Sequence, residues 1–200
     1  PKKALILWDG ARNCYTRENK DDILVGYDIK EVYNTEHMQE YPKDSKTIIV
    51  KAEKGVGKTY ALEQHINKHD PEFCLFVSFR KTLSTEIIKR LAKYGFVNYL
   101  DLPKGCIGSK HKRLIIQVES LPRLNWQRKP DLLVCDEMES IRNQFFSDTC
   151  RNANTCISKF DMLLNSSDQV IFMDADISEN TINMIRQSRD VQFHYIENTY

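Results

Sequence analysis

From Thr47 onward, short apolar runs rich in β-branched residues alternate with stretches of helical spacing. The runs "TIIVKA", "FCLFVSF", "RLIIQV", "DLLVCDE", "QVIFMDAD" and "VQFHYI" predict strands. Between them, "KTYALEQHINKH", "TLSTEIIKRLAKYG", "CISKFDMLLNSS" and "SENTINMIRQS" predict helices. Leu83, Ile87, Ile88 and Leu91 fall on one face of the second helix, Gly95 ends it, and Ser178 is placed to cap the last. Strand then helix, joined by short connections, is the pattern of an α/β fold with a mostly parallel central sheet wrapped by helices.

Residues 1–42 are mixed and are expected to be a linker or N-terminal appendage; 43–200 then form the regular domain. "ARNCYTRENKDD" is polar, and "ILVGYDIKEVY" is apolar enough to pack on a neighbour. The balance of 29 Lys+Arg against 28 Asp+Glu excludes a strongly basic nucleic-acid coat but not a local basic groove. No apolar run approaches the roughly 20 residues of a membrane span. The six cysteines lack paired CxxC spacing, and Cys74 and Cys135 lie in apolar runs, so reduced thiols in an intracellular protein are expected. A zinc site or a disulfide framework is the alternative.

"AEKGVGKT", Ala52 to Thr59, lies between the first regular strand and its helix. Ligands of parallel sheets bind at the carboxyl ends of the strands. Successive N–H groups of a Gly-rich loop make an anion nest, and the helix N-terminus adds its positive dipole. Gly55 and Gly57 let the loop curl, Lys58 can reach the β and γ phosphates, and Thr59 can offer its hydroxyl to Mg²⁺. Lys54, Val56 and Tyr60 complete the expected nucleotide-binding stretch, with Ala52 where the strict pattern has glycine. On the fourth strand, "DLLVCDEMES" sets Asp136 and Glu137 at the carboxyl end. The first carboxylate there can hold Mg²⁺, and the next can orient the attacking water.

These segments together resemble the first motor domain of superfamily 2 helicases. "AEKGVGKT" and "DEME" stand for its phosphate loop and acidic motif, "VSFRKTLSTEI" for its Ia segment, and "QVESLPRL" for its Ib segment. "MDADIS" stands where other members have Ser/Thr-Ala-Thr, with Asp174 and Asp176 in place of the hydroxyl residues. The ordered set, from about Thr47 to Tyr200, looks closest to the origin-binding helicases of herpesviruses and related helicases of large DNA viruses. The resemblance implies a three-layer RecA-like P-loop NTPase fold, ATP and Mg²⁺ as ligands, and a coupling role for Asp174 and Asp176. It also implies DNA as partner, held by Ser78, Arg80, Lys81, Ser120 and Arg123. Those residues suit phosphate contacts on their own chemistry, since they stand where strands end and helices begin. Helix capping is the other reading of Ser120. "SKHKR", Ser109 to Arg113, either extends such a track or is a solvated loop, and Trp126 either stacks a base or packs.

Such a motor needs a second domain that supplies arginines to the γ-phosphate, worth about 10³–10⁵ in rate. Only about two dozen residues follow "MDADIS", so the chain is expected to be one half of a DNA helicase acting in replication, weakly active alone. The resemblance places it in the host cytoplasm or nucleus, with replication proteins as further partners. A degenerate ATPase used as a DNA-binding platform and a nucleotide kinase are the alternatives.

Overall fold

The computed structural model describes residues 28–189 and 192–200. Its centre is an eight-stranded sheet. The strands are β1 (Ile29–Tyr33), β2 (Thr47–Ala52), β3 (Cys74–Ser78), β4 (Val97–Asn98), β6 (Arg113–Gln117), β8 (Leu132–Asp136), β9 (Gln169–Asp174) and β10 (Phe193–Asn198). They lie in the order β1-β10-β2-β9-β8-β3-β6-β4. Every neighbouring pair is parallel. β5 (Ile107–Gly108) and β7 (Leu124–Asn125) form a separate small ribbon.

Side chains alternate across the sheet, as the two-residue period of a strand requires. Ile49, Leu75, Val77, Leu133, Cys135, Val170 and Phe172 pack on one face. Ile48, Val50, Cys74, Phe76, Leu132, Val134, Ile171 and Met173 pack on the other. Both faces are dry, which is why these strands read as unbroken apolar runs. Helices α1 (Lys58–His69) and α2 (Lys81–Leu91) cover the second face through Leu62, Ile66, Leu83, Ile87 and Leu91. Helices α3 (Met138–Phe145), α4 (Ala153–Ser166) and α5 (Glu179–Ser188) cover the first through Ile141, Phe145, Phe160, Leu164 and Ile185. The result is the three-layer, RecA-like α/β arrangement.

Several local signals act as read. The Ser178 hydroxyl accepts from the Thr181 N–H at the start of α5. After α2, a 3-10 turn over Ala92–Tyr94 ends at Gly95, whose φ of 80° is left-handed. Cys74 and Cys135 are buried as free thiols.

Three features differ from the sequence reading. β1 lies inside the stretch assigned to a linker or appendage, yet it pairs with β10 at the sheet edge, and Tyr41 is buried against the core. Residues 1–27 lie outside the described residues. Helix α3 was not anticipated between the fourth strand and α4; its Met138, Ile141 and Phe145 bury one face over only two turns. A further 3-10 segment, Val118–Arg123, follows β6 and contains Pro122, which lacks a backbone donor. Among the described residues, no helix is long and apolar enough to cross a membrane.

Candidate functional site

β2 ends at Ala52 and α1 begins at Lys58. The loop between them turns on Gly55 (φ 94°) and Gly57 (φ 92°), both in the left-handed region where a Cβ is strained. Around Gly57 a Cβ would meet nothing nearer than 3.9 Å, so backbone angle and not space calls for glycine. Gly57 is also the N-cap of α1, with no side chain capping the helix. The first N–H groups of α1 are therefore not taken by a side-chain cap and suit an anion. Val56 is buried and pins the loop, while Lys54 and Tyr60 are exposed.

Two contacts from the preceding segment hold this loop from outside. The Met38 N–H donates to the Val56 carbonyl at 2.8 Å, and the Tyr41 hydroxyl donates to the Lys58 carbonyl at 3.0 Å. The Lys58 ammonium folds back on its own loop, donating to the carbonyls of Ala52 and Glu53. Burial lowers its pKa, opposed by the negative charges of Asp136, Asp174, Glu53 and Glu137.

Asp136 closes β8, opposite Met173 of β9. Glu137 departs into left-handed backbone (φ 57°, ψ 63°) while its N–H still donates to the Met173 carbonyl at 2.8 Å. A non-glycine residue in that region carries strain of about 1–2 kcal/mol. The turn stops the strand and starts α3 within one residue. Asp174, at the end of β9, accepts from the Glu139 N–H at 2.8 Å and from the Asp176 N–H at 3.0 Å. Glu139 in turn accepts from the Ser178 N–H at 2.7 Å. Met138 is wholly buried, and Glu139 braces α3 to the start of α5.

Burial first, and then the charge of Glu137, raises the Asp136 carboxyl to about 6, against the pull of Lys58. The unfolded value lies near 4. Between those values the folded state holds the extra proton, so the ionised group costs stability above about pH 6 and the cost disappears as pH falls. A shift of this size corresponds to about 3 kcal/mol. Asp136→Asn is therefore expected to raise the melting midpoint by about 5 °C or more at pH 7. It should leave the midpoint nearly unchanged at pH 4, which thermal melts at the two values check.

The loop and the acids meet in one cleft of 580 Å³, which gathers Lys54, Gly55, Gly57, Lys58 and Thr59 with Asp136, Glu137, Asp174 and Asp176. Helix α2 forms its other wall with Arg80, Leu83, Glu86 and Arg90. Those four recur at three- and four-residue spacing on one helix face, a signal present in the sequence but not used there.

The residues expected to hold nucleic acid separate into groups. Ser78 is wholly buried, its hydroxyl 2.6 Å from that of Ser84, so it braces the start of α2 and does not face outward. Arg80 is exposed on the cleft rim, its guanidinium 4.9 Å from the Phe79 ring centroid and not paired with Glu86. Lys81 is exposed at the first position of α2. Ser120 lies near the Tyr99 hydroxyl, where it opposes the rise in pKa that burial causes. Arg123 lies over the Tyr99 ring at 5.8 Å and donates to the carbonyls of Gly105 and Pro103.

"SKHKR" is not part of such a track. Arg113 begins β6, at the sheet end opposite the cleft, where it bonds to Asp70 and the Tyr94 carbonyl. Strand polarity alone would have placed it there. Trp126 packs edge-on against Phe73 at 5.4 Å.

A glycine loop at the carboxyl end of a parallel strand, facing an acidic strand end one strand removed, defines a P-loop domain of the RecA-like helicase fold. The chain belongs to the origin of replication binding protein family, whose model matches residues 34–200. It is 34% identical over 180 residues to a putative helicase/primase complex protein of African swine fever virus (isolate Pig/Kenya/KEN-50/1950), covering 86% of this chain and 17% of that protein. It is 37% identical over 161 residues to the replication origin-binding protein of varicella-zoster virus (strain Dumas), covering 76% of this chain and 19% of that one. The chain thus spans less than a fifth of either relative. Among solved structures, S. cerevisiae Dbp5 in a complex with ADP superposes with a TM-score of 0.58 at 12% identity, covering 80% of this chain and 45% of that one.

Proposed function

We propose that this domain binds ATP with Mg²⁺ and hydrolyses it as the first motor of a DNA helicase acting in viral DNA replication inside the host cell. The observation that carries this reading is the meeting of Lys58 and Thr59 with Asp136 and Glu137 in one cleft. In it the loop N–H groups and Lys58 take the phosphates. Thr59 and Asp136 hold the metal, and Glu137 orients and deprotonates the attacking water. The residues fit the ion. Among the described residues no cluster of three or more His, Cys, Asp or Glu could hold a metal by itself. Mg²⁺ commonly arrives with the substrate phosphates and takes one or two carboxylates from the protein. Bound there, it would offset charge on the phosphates and relieve the crowding of acids around Asp136.

On this reading a second motor domain completes the nucleotide site, and DNA lies across Arg80, Lys81, Ser120 and Arg123. Asp174 couples the site through its bond to Glu139, with Asp176 beside it at the cleft. The test is ATP hydrolysis by the full-length protein with and without single-stranded DNA. Stimulation by DNA is expected. Nucleotide binding without turnover would support the platform reading, and phosphoryl transfer to a small acceptor would support a kinase.

A second expectation concerns Arg80. Arg80→Ala should weaken DNA binding across different sequences and shallow its salt dependence by about one phosphate contact. The melting point should hold, because Arg80 is exposed and its guanidinium lies over the Phe79 ring. Affinity at several salt concentrations checks this. A parallel nucleotide titration distinguishes the DNA track from the cleft that Arg80 borders: an unchanged slope with lost nucleotide affinity would move Arg80 to the phosphates.

A further inference from the structure

We propose that Gln117 is a positioning residue that sets the Arg80 and Arg123 side chains into a single phosphate-binding track; this rests on the DNA reading above. Gln117 ends β6, directly opposite Ser78 at the end of β3. It is only 7% exposed. Its side-chain N–H group donates to the Phe79 carbonyl at 3.2 Å and to Glu119 at 3.2 Å. Its side-chain oxygen accepts from the Tyr99 hydroxyl at 2.8 Å. Phe79 and Tyr99 are the two rings on which Arg80 and Arg123 rest. One buried amide therefore holds the Tyr99 hydroxyl and the Phe79 backbone at once. The Phe79 carbonyl belongs to the peptide that leads into Arg80, so the same bond also sets the turn from β3 into α2.

The chemistry calls for an amide. The site asks one group to donate to a carbonyl and to accept from a phenol. Leucine does neither, and a carboxylate accepts only and would face Glu119. Arg123 gives its Nε and Nη2 groups to the Gly105 and Pro103 carbonyls, which leaves Nη1 for an anion. Together with the exposed Arg80, such a cation on a ring face suits successive phosphates of a nucleic-acid strand. Prior placement spares part of the ordering cost of binding.

The test is a pair of double-mutant cycles in the full-length protein, read as affinity for a single-stranded oligonucleotide at several salt concentrations. Gln117→Leu should weaken binding about tenfold, an energy typical of coupled neighbours. In the Arg80→Ala plus Arg123→Ala background the same change should cost less than about twofold, because the cations to be positioned are gone. Gln117→Glu keeps the side-chain size and the Tyr99 acceptor and is measured in parallel, in case the leucine variant fails to fold. Titration with a fluorescent ATP analogue confirms that each variant retains its nucleotide site. An effect that persists undiminished without the arginines would make Gln117 merely structural and overturn the proposal. So would unchanged affinity in a folded variant. If the arginine changes themselves leave DNA binding intact, the DNA reading falls first, and the proposal with it.

Discussion

Lys58→Ala is expected to leave a folded protein that binds ATP·Mg²⁺ at least roughly 100-fold more weakly, below ordinary detection, because a charge-assisted phosphate contact is lost in a partly dry cleft. The ammonium makes its bonds to the carbonyls of Ala52 and Glu53, in the loop that it serves. It anchors no core contact, and the first turn of α1 is held independently by Tyr41. Removing the cation also removes the opposing pull on Asp136, whose pKa is already raised to about 6. That carboxyl would then take up a proton more readily, so the empty protein loses little stability. Titration of a fluorescent ATP analogue, with a melting curve as control for folding, checks both halves. Unchanged affinity in the folded variant would remove Lys58 from the site.

Glu137→Gln in the full-length protein should keep nucleotide affinity and lower turnover at least about 100-fold, the range expected when a general base is lost. The amide is nearly isosteric. It inherits the same left-handed backbone and the same N–H bond to Met173, so the turn into α3 is unchanged. What changes is the ability to accept a proton from water beside Asp136. Steady-state hydrolysis with DNA present, set against nucleotide binding, separates the two effects. Near-normal turnover would mean that another group in the cleft positions the water.

Most of the sheet was legible because its strands are buried on both faces and carry little but apolar side chains. The loop from β2 into α1 was legible because glycine, lysine and threonine each have a distinct physical use there. β1 was harder: its segment reads as apolar enough to pack, but as an edge strand it leaves three of its five residues exposed, and charged residues interrupt the apolar run. The place of β10 between β1 and β2 was not legible either, since strand order follows from how crossovers pack and not from local pattern. Among the candidate contacts, Ser78 was misread because a hydroxyl at a strand end can face solvent or brace the next helix. Burial alone decides between them. Gln117 lay inside a quoted motif, yet its role needed Phe79, Tyr99 and Glu119 in one place.

The bonds around Asp174 have a mechanical consequence. Its carboxylate ties the Glu139 N–H, and Glu139 ties the Ser178 N–H, so the ends of β8 and β9 and the starts of α3 and α5 form one stiff plate. The facing helix α2 is held by apolar burial of Leu83, Ile87 and Leu91 and by the buried contact of Ser84 with Ser78. Arg90 meets Glu63 of α1 by an ion pair, and Lys93, just beyond α2, meets the same carboxylate, with both cationic side chains largely in water. Asp136, Glu137, Asp174 and Asp176 thus stand on one braced wall of the cleft, and the α2 side offers them the cations Arg80 and Arg90 together with Glu86.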